Sequence, residues 1–69
     1  MQKYELINRF YHKQNLNIIE AENLMTLITK GELSETEIAL VLMFYKTNTI
    51  TINELLGFRK ILLQNLLIV

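Results

Sequence analysis

The sequence predicts an all-α protein, a small four-helix bundle of the orthogonal type, and three observations lead to this prediction. Helix-capping residues recur at a constant step of seventeen positions, at Asn17, Ser34 and Thr51, and a Glu stands three residues after each of them. The chain has no Pro and only two Gly, so few residues interrupt a helix. No segment shows the apolar–polar alternation of a half-buried strand. Residues 1–69 are therefore expected to form a single helical domain whose consecutive helices pack back across one another.

The first two helices are predicted over residues 2–14 and 18–30. Apolar residues recur in both at three- and four-residue spacing, as on one face of an amphipathic helix. The second helix begins after Asn17, whose capping-box partner is Glu20, and it stops at Gly31, which can adopt the left-handed conformation of a helix end. The apolar residues assigned to these helices are Tyr4, Leu6, Ile7, Phe10 and Tyr11, then Ile18, Ala21, Leu24, Met25 and Ile28.

The third helix, predicted over residues 35–46, is the element that the rest of the chain is expected to cover. Ser34 and Glu37 form its capping box, and residues 38–45 are apolar without interruption. Apolar residues on every side indicate a helix that is covered on more than one side. The row predicted to face the core is Ile38, Val41, Leu42 and Tyr45, and the residues outside it are Leu40, Met43 and Phe44. Leu42→Ala is accordingly predicted to cost about 2–5 kcal/mol of stability, as for a core leucine.

The fourth helix is predicted over residues 52–65. Thr51 and Glu54 form its capping box. Gly57 stands inside the helix, where it costs about 1 kcal/mol relative to Ala, so it is expected to permit a close approach of another helix. The apolar residues that lie on one side of this helix are Ile52, Leu55, Leu56, Leu62, Leu63 and Leu66.

Composition excludes several classes of function. The net charge is zero, which argues against a nucleic-acid module that binds by neutralising phosphates. No Cys is present, so the chain has no disulfide and no thiolate metal site. The longest apolar run, residues 38–45, is far shorter than the ~20 residues needed to span a bilayer. Glu5 and Arg9 stand where a signal peptide needs an apolar core, so the expected location is the cytoplasm.

No single residue predicts a catalytic or ligand-binding site. His12 is the only histidine and has no evident orienting partner, so a surface or interface role is expected for it. Glu35 and Glu37 could suggest acid–base chemistry, but helix capping explains the pair. Three basic residues are interpreted as part of a solvated helix face rather than a phosphate site: Lys3, Arg9 and Lys13.

Residues 16–65 resemble the N-terminal helical domain of the anthranilate phosphoribosyltransferases, the glycosyl transferase family 3 N-terminal domain, which pyrimidine nucleoside phosphorylases such as thymidine phosphorylase share. The motifs that carry the resemblance are Leu16-Asn17, Glu20-Ala21, Leu24-Met25, Gly31-Glu32-Leu33-Ser34, Ile38-Ala39, Leu42-Met43, and Glu54 with Gly57. Gly57 and the Leu24-Met25 pair favour the transferase over the phosphorylase. The chain departs from the family pattern at Leu40 and Phe44, where small residues are common, and near Asn48, where a Gly is usual.

The resemblance implies a role within a larger enzyme. In that family a separate α/β domain holds phosphoribosyl pyrophosphate and Mg²⁺, and the whole enzyme transfers phosphoribose to anthranilate in tryptophan biosynthesis. The G-T-G-G-D loop that cradles pyrophosphate and the acidic pair that holds Mg²⁺ have no counterpart here, since the chain contains no Asp. We therefore expect no catalytic, cofactor-binding or metal-binding residue in this chain. The apolar end at residues 66–69 is interpreted as a cut from a longer chain with a C-terminal α/β domain, or as an element that docks.

Self-association is the remaining expectation. The predicted bundle leaves apolar residues of the first and third helices outside the core, and contiguous exposed apolar patches are uncommon on monomers. The helical domain of the resembling family is also its dimerisation element. We therefore expect a homodimer through these two helices, with Phe10 and Phe44 as anchors. The residues assigned to this interface are Leu6, Phe10, Leu40, Met43 and Phe44.

Three alternatives stay open at this point. The chain could be a stand-alone helical protein–protein interaction module, or the N-terminal domain of a pyrimidine nucleoside phosphorylase. A helix-turn-helix DNA binder would need a basic recognition helix, yet the third helix has Glu35 and Glu37 and only Lys46 near its end. Continuation of the reading frame past Val69 into a G-T-G-G-D loop would distinguish the transferase fragment from the stand-alone module.

Overall fold

The computed structural model describes residues 3–67, which form four α-helices and no strand. Their bounds are Lys3–Tyr11 (α1), Ile18–Thr29 (α2), Glu35–Thr47 (α3) and Ile52–Leu67 (α4). The predicted all-α bundle is therefore confirmed for this part of the chain. The predicted helix start at Gln2 and the last two residues of the apolar tail, 68–69, lie outside the described residues.

All three predicted capping boxes are present. The Asn17 side chain accepts a hydrogen bond from the Glu20 backbone N–H (2.8 Å), and the Glu20 carboxylate accepts one from the Asn17 N–H (2.9 Å). The same reciprocal pair of bonds joins Ser34 with Glu37 at the start of α3, and Thr51 with Glu54 at the start of α4. Each box satisfies backbone donors that a helix start would otherwise leave without a partner.

Two helices end in a left-handed residue. At the end of α2, Gly31 has φ +69°, and the Glu32 N–H donates back to the Leu27 carbonyl at 2.9 Å, as predicted for a glycine helix end. At the end of α1, the residue in this conformation is Lys13, with φ +54°. The first helix therefore stops at Tyr11, three residues before the predicted end, because the chain turns at a residue type that rarely signals a turn.

The core lies between α1, α2 and α3 and is closed by α4. The Phe10 and Phe44 rings have centroids 4.6 Å apart, and the Tyr45 ring meets both of them edge-on. Phe58 extends the aromatic cluster onto α4, with its centroid 5.8 Å from that of Tyr45. The buried residues that form this one cluster are Leu6, Phe10, Leu16, Ala21, Leu24, Leu33, Val41 and Phe44.

Gly57 permits the close approach of α4 to α2 that the sequence predicts. A Cβ atom at this position would lie 2.7 Å from the Ala21 Cβ and 2.8 Å from the carbonyl oxygen of Ile18. Both distances are shorter than van der Waals contact, so no larger residue fits without moving one helix. The small residue is therefore required by the packing of α2 on α4.

The buried face of α3 differs from the predicted one. Val41 and Phe44 are buried, whereas Leu42 is 66% exposed. The predicted core row is thus wrong at Leu42 and at Ile38, which is 37% exposed, and the prediction that Phe44 lies outside the core is also wrong. An uninterrupted apolar run has no polar side to mark the orientation, so its spacing alone does not determine which stripe is buried.

The apolar side of α4 faces away from the core. The residues that are buried on α4 are Glu54, Gly57 and Ile61. The six apolar residues that share the other side are between 42% and 71% exposed: Ile52, Leu55, Leu56, Leu62, Leu63 and Leu66. The more apolar of the two helix faces is therefore the outer one, which is the reverse of the usual amphipathic arrangement.

The exposure of Leu42 changes the expected effect of its replacement. We expect Leu42→Ala to lower the free energy of unfolding by about 0.5 kcal/mol or less, because an exposed side chain leaves no cavity when it is shortened. Leu24 is 1% exposed and provides a matched control, since Leu24→Ala should cost about 2–5 kcal/mol. Urea unfolding of both variants measures the two values, and equal losses would mean that Leu42 is packed.

Candidate functional site

A groove lies between α1 and α3. Its volume is about 230 Å³, and its floor is apolar. The residues that line it are Phe10, Lys13, Leu40, Met43, Phe44, Thr47 and Asn48. Four of the five residues predicted for a dimer interface therefore come together in one place, and only Leu6 lies elsewhere.

The ends of two helices shape this groove. Lys13 reaches its rim because the left-handed turn after α1 folds the chain back, with the Lys13 N–H bonded to the Phe10 carbonyl at 3.0 Å. Asn48 closes α3 by donating both its backbone and its side-chain N–H to the Phe44 carbonyl, at 2.9 and 3.0 Å. The rim is therefore polar, while the aromatic rings of the core form the floor.

The predicted interface residues differ in how accessible they are. Leu6, Phe10 and Phe44 are 0%, 3% and 5% exposed, so the expectation that they lie outside the core is wrong. On α1 the large apolar residues that are exposed are instead Tyr4 and Tyr11. Leu40 and Met43 are the two that another molecule could reach: Leu40 is half-buried, and Met43 is 66% exposed.

The basic residues of α1 make ion pairs within the fold. Lys3 Nζ lies 3.3 Å from a carboxylate oxygen of Glu37, and an Arg9 nitrogen lies 3.3 Å from one of Glu20. Arg9 also donates to the backbone carbonyl of Asn15. Two of the three basic residues thus tie α1 to α2 and α3.

The titratable residues singled out in the sequence have local roles. His12 is exposed, and its Nδ1 lies 2.9 Å from the Asn8 carbonyl, without a carboxylate beside it. Hydrogen bonds from the Ser34 backbone and the ion pair with Lys3 hold the pKa of Glu37 below its ordinary value. Within residues 3–67, no three His, Cys, Asp or Glu side chains lie close enough together to hold a metal ion.

Glu54 is the polar residue whose role the sequence does not reveal. Its side chain is 0% exposed, and besides capping α4 it accepts hydrogen bonds from groups far away in the chain. The donors are the Leu16 N–H (2.9 Å), the Asn15 side-chain amide (2.8 Å) and the Tyr45 hydroxyl. One carboxylate therefore joins the α1–α2 connection, α3 and the start of α4.

The hydrogen bonds to Glu54 determine its charge state. Burial by itself would raise the pKa of Glu54, but the bonds from Leu16, Tyr45, Thr51 and Asn15 outweigh it and lower the pKa below the ordinary value. Burial and the bond to this carboxylate raise the pKa of Tyr45 well above its usual range. At neutral pH Tyr45 is therefore the donor and the ionised Glu54 the acceptor in this bond. The carboxylate itself is enclosed, while the Asn15 and Tyr45 side chains that bind it are half-buried.

Comparison with protein families decides what kind of domain this is. Residues 4–66 match the model of the glycosyl transferase family helical bundle domain. The chain belongs to this family. The family assignment covers all four helices, so the bundle described above is the fold unit of a glycosyl transferase helical domain.

The most informative relatives of this helical domain are three enzymes named anthranilate phosphoribosyltransferase. The protein of Flavobacterium psychrophilum is 39% identical over 59 residues, which are 86% of this chain and 18% of the relative. That of Christiangramia forsetii is 38% identical over 60 residues, 87% of this chain and 18% of the relative. That of Phocaeicola vulgatus is 34% identical over 58 residues, 84% of this chain and 18% of the relative.

The helical domain thus spans only about a fifth of the length of these relatives. No solved structure shows a significant match to the chain. None of the four described helices combines the length and the apolar character needed to cross a bilayer.

Proposed function

We propose that the chain acts as the helical domain of an anthranilate phosphoribosyltransferase and has no catalytic activity by itself. The observation that supports this proposal is the match over residues 4–66, together with three relatives that share this name and align with the chain over the same share of their length. In the proposed enzyme, transfer of phosphoribose to anthranilate takes place on the rest of the protein, with Mg²⁺ bound there. A cytoplasmic location belongs to the same proposal and rests on the likeness to those enzymes alone.

Domain exchange tests this function. The 59 matched residues of the Flavobacterium psychrophilum enzyme are replaced by the corresponding part of this chain, and formation of phosphoribosyl anthranilate is measured. We expect the chimera to retain activity, and the 69-residue chain alone to have none. A folded chimera without activity would contradict the proposed function, whereas phosphoribosyl pyrophosphate binding by the chain alone would contradict its non-catalytic role.

The role proposed for the α1–α3 groove is to receive a second copy of the domain. Its floor is apolar, and Met43, which lines it, is 66% exposed and therefore accessible to a partner. A two-fold dimer would place each Met43 against the groove of the other copy, so that the same surface is buried twice. A stable interface of this kind buries about 1,200–2,000 Å², which would also cover Leu40 and the groove rim.

Met43→Glu should shift the protein from dimer to monomer at micromolar concentration, because a carboxylate in an apolar contact is left without a partner. Sedimentation velocity measures the shift. Leu42→Glu is the matched control, since Leu42 is also 66% exposed but does not line the groove. A wild-type chain that sediments as a monomer would overturn the dimer proposal. Phe44→Glu is unsuitable for this test, because Phe44 is buried and its replacement would disrupt the core.

A further inference from the structure

The outer face of α4 is the largest apolar feature that neither the core nor the α1–α3 groove explains. We define it by six residues: Ile52, Leu55, Leu56, Leu62, Leu63 and Leu66. They account for six of the fourteen large exposed apolar side chains among the described residues. They lie in a strip along one side of the helix at three- and four-residue spacing, with Arg59 at the position between Leu56 and Leu62. Strips of this kind mark a surface that is covered in the functional molecule.

One charged residue lies within this strip. Arg59 is exposed, and on a helix its neighbours at three and four residues are Leu55, Leu56, Leu62 and Leu63. None of the ion pairs among the described residues involves Arg59, whereas the adjacent Lys60 pairs with Glu22 of α2 at 3.3 Å. The strip is thus apolar with a single positive charge at its centre.

The position of Arg59 argues against a second copy of the chain as the occupant. The strip runs from Ile52 to Leu66, and Arg59 is the midpoint of this range. Any two-fold pairing of the full strip with itself, parallel or antiparallel, places Arg59 opposite its own counterpart. Two guanidinium groups would then be removed from water without a carboxylate between them, which is strongly unfavourable.

The length of the relatives indicates a different partner for the outer face of α4. Each of the three transferases extends well beyond the matched region, which is 18% of its length. We propose that the outer face of α4 docks against this remaining part of a transferase, through an apolar surface that carries an Asp or Glu carboxylate opposite Arg59. The inference rests on the proposed function, because it takes the enzyme's remaining part as the partner.

The chemistry of the strip suits such a contact. The leucines provide apolar area that gains free energy when it is removed from water. The planar guanidinium group of Arg59 can bind a carboxylate through two parallel hydrogen bonds, and the aliphatic part of its side chain can pack along the neighbouring leucines. The apolar residues therefore supply affinity, and the single charge fixes how the partner is aligned.

The active chimera described above provides the test. Leu62→Glu and Arg59→Glu are introduced on the outer face of α4, with Leu42→Glu on α3 as the matched exposed control. We expect the first two to release the helical domain from the body of the enzyme, so that proteolysis between them is at least about tenfold faster than in the control. Sedimentation should show that the dimer persists, because the α1–α3 groove is unchanged. Circular dichroism of the same variants in the 69-residue chain verifies that each one still folds.

Each outcome has a distinct meaning. If the chimera is active and all three variants resist proteolysis equally, the docking inference is wrong while the proposed function stands. If the unmodified chimera folds but is inactive, the proposed function fails.

If the chimera is insoluble, the rest of the Flavobacterium enzyme is added as a separate polypeptide, and its affinity for the chain is measured. Leu62→Glu should then bind at least about tenfold more weakly than Leu42→Glu, and equal affinities would overturn the inference. A wild-type dimer that Leu62→Glu dissociates would also overturn it, since the occupant would be a second copy.

Discussion

Gly57→Ala should destabilise the domain by about 3 kcal/mol or more, although Ala is the better helix former. Overpacking of a filled site typically costs about 1–3 kcal/mol, and here the new methyl would meet Ala21 Cβ at 2.7 Å and the Ile18 carbonyl oxygen at 2.8 Å. Neither atom belongs to a flexible side chain, so α2 and α4 must separate. A domain of this size has roughly 3–10 kcal/mol of total stability, so thermal unfolding should show a partly or fully unfolded protein at room temperature.

Two companion variants make the Gly57 result specific. Gly31→Ala provides the control, because no atom lies within 4 Å of a Cβ there and only the left-handed φ of +69° opposes the change. Its cost should be about 1–2 kcal/mol. Ala21→Gly should partly rescue Gly57→Ala, because it removes the nearer of the two clashing atoms. A Gly57→Ala protein as stable as the wild type would mean that the two helices are farther apart than described here.

Glu54→Ala should cost at least about 3 kcal/mol, the usual effect of removing one member of a buried charged cluster. The substitution removes the acceptor of the buried Leu16 N–H and of the part-buried Asn15 amide and Tyr45 hydroxyl, in addition to the lost helix cap. Glu37→Ala is the matched control, because Glu37 has the same capping role on α3 but, apart from its cap, only one ion pair, with Lys3, and a more exposed side chain. We expect that control to cost about 0.5–2 kcal/mol, as for the loss of a helix cap. Equal losses in urea unfolding would show that Glu54 acts only as a cap.

The charge of Glu54 also makes stability depend on pH. Its pKa in the folded protein lies below the ordinary value of 4.5 that the unfolded chain has. The carboxylate therefore contributes its full stabilisation above about pH 4.5 and loses it as the pH falls through the folded-state pKa. Acid unfolding of Glu54→Gln should consequently show a weaker dependence on pH than that of the wild type. An unchanged dependence would assign the acid sensitivity to other carboxylates.

The helix boundaries were predictable because their signals are local. A capping box needs only two residues at positions i and i+3, and Gly31 alone indicates the end of α2. The end of α1 was not predictable, since nothing in a lysine side chain marks Lys13 for a left-handed turn. The groove overlaps in part with the residues predicted for a dimer interface: Leu40 and Met43 line it and are accessible, but Phe10 and Phe44 are buried in its floor.

The buried faces of α3 and α4 could not be predicted from the sequence alone. Both helices carry more apolar residues than one buried stripe can use, so periodicity alone does not show which stripe faces inward. On α4 the inner face is instead defined by Glu54 and Gly57, a charged residue and one without a side chain, and neither contributes to an apolar stripe. The donors that explain Glu54 lie 38 and 39 residues earlier in the chain, beyond the reach of any local pattern.

Those long separations have a consequence for the order of folding. The Leu16 N–H and the Tyr45 hydroxyl both donate to Glu54, so they acquire their acceptor only when α4 is present. In a nascent chain that ends after α3, these two donors have no carboxylate to bind. Closing a loop of 38 residues costs entropy before the Leu16 bond forms, whereas the Tyr45 bond spans only nine residues. We therefore expect the first three helices to stay loosely associated during synthesis, and the domain to fold in one cooperative step once Glu54 has left the ribosome.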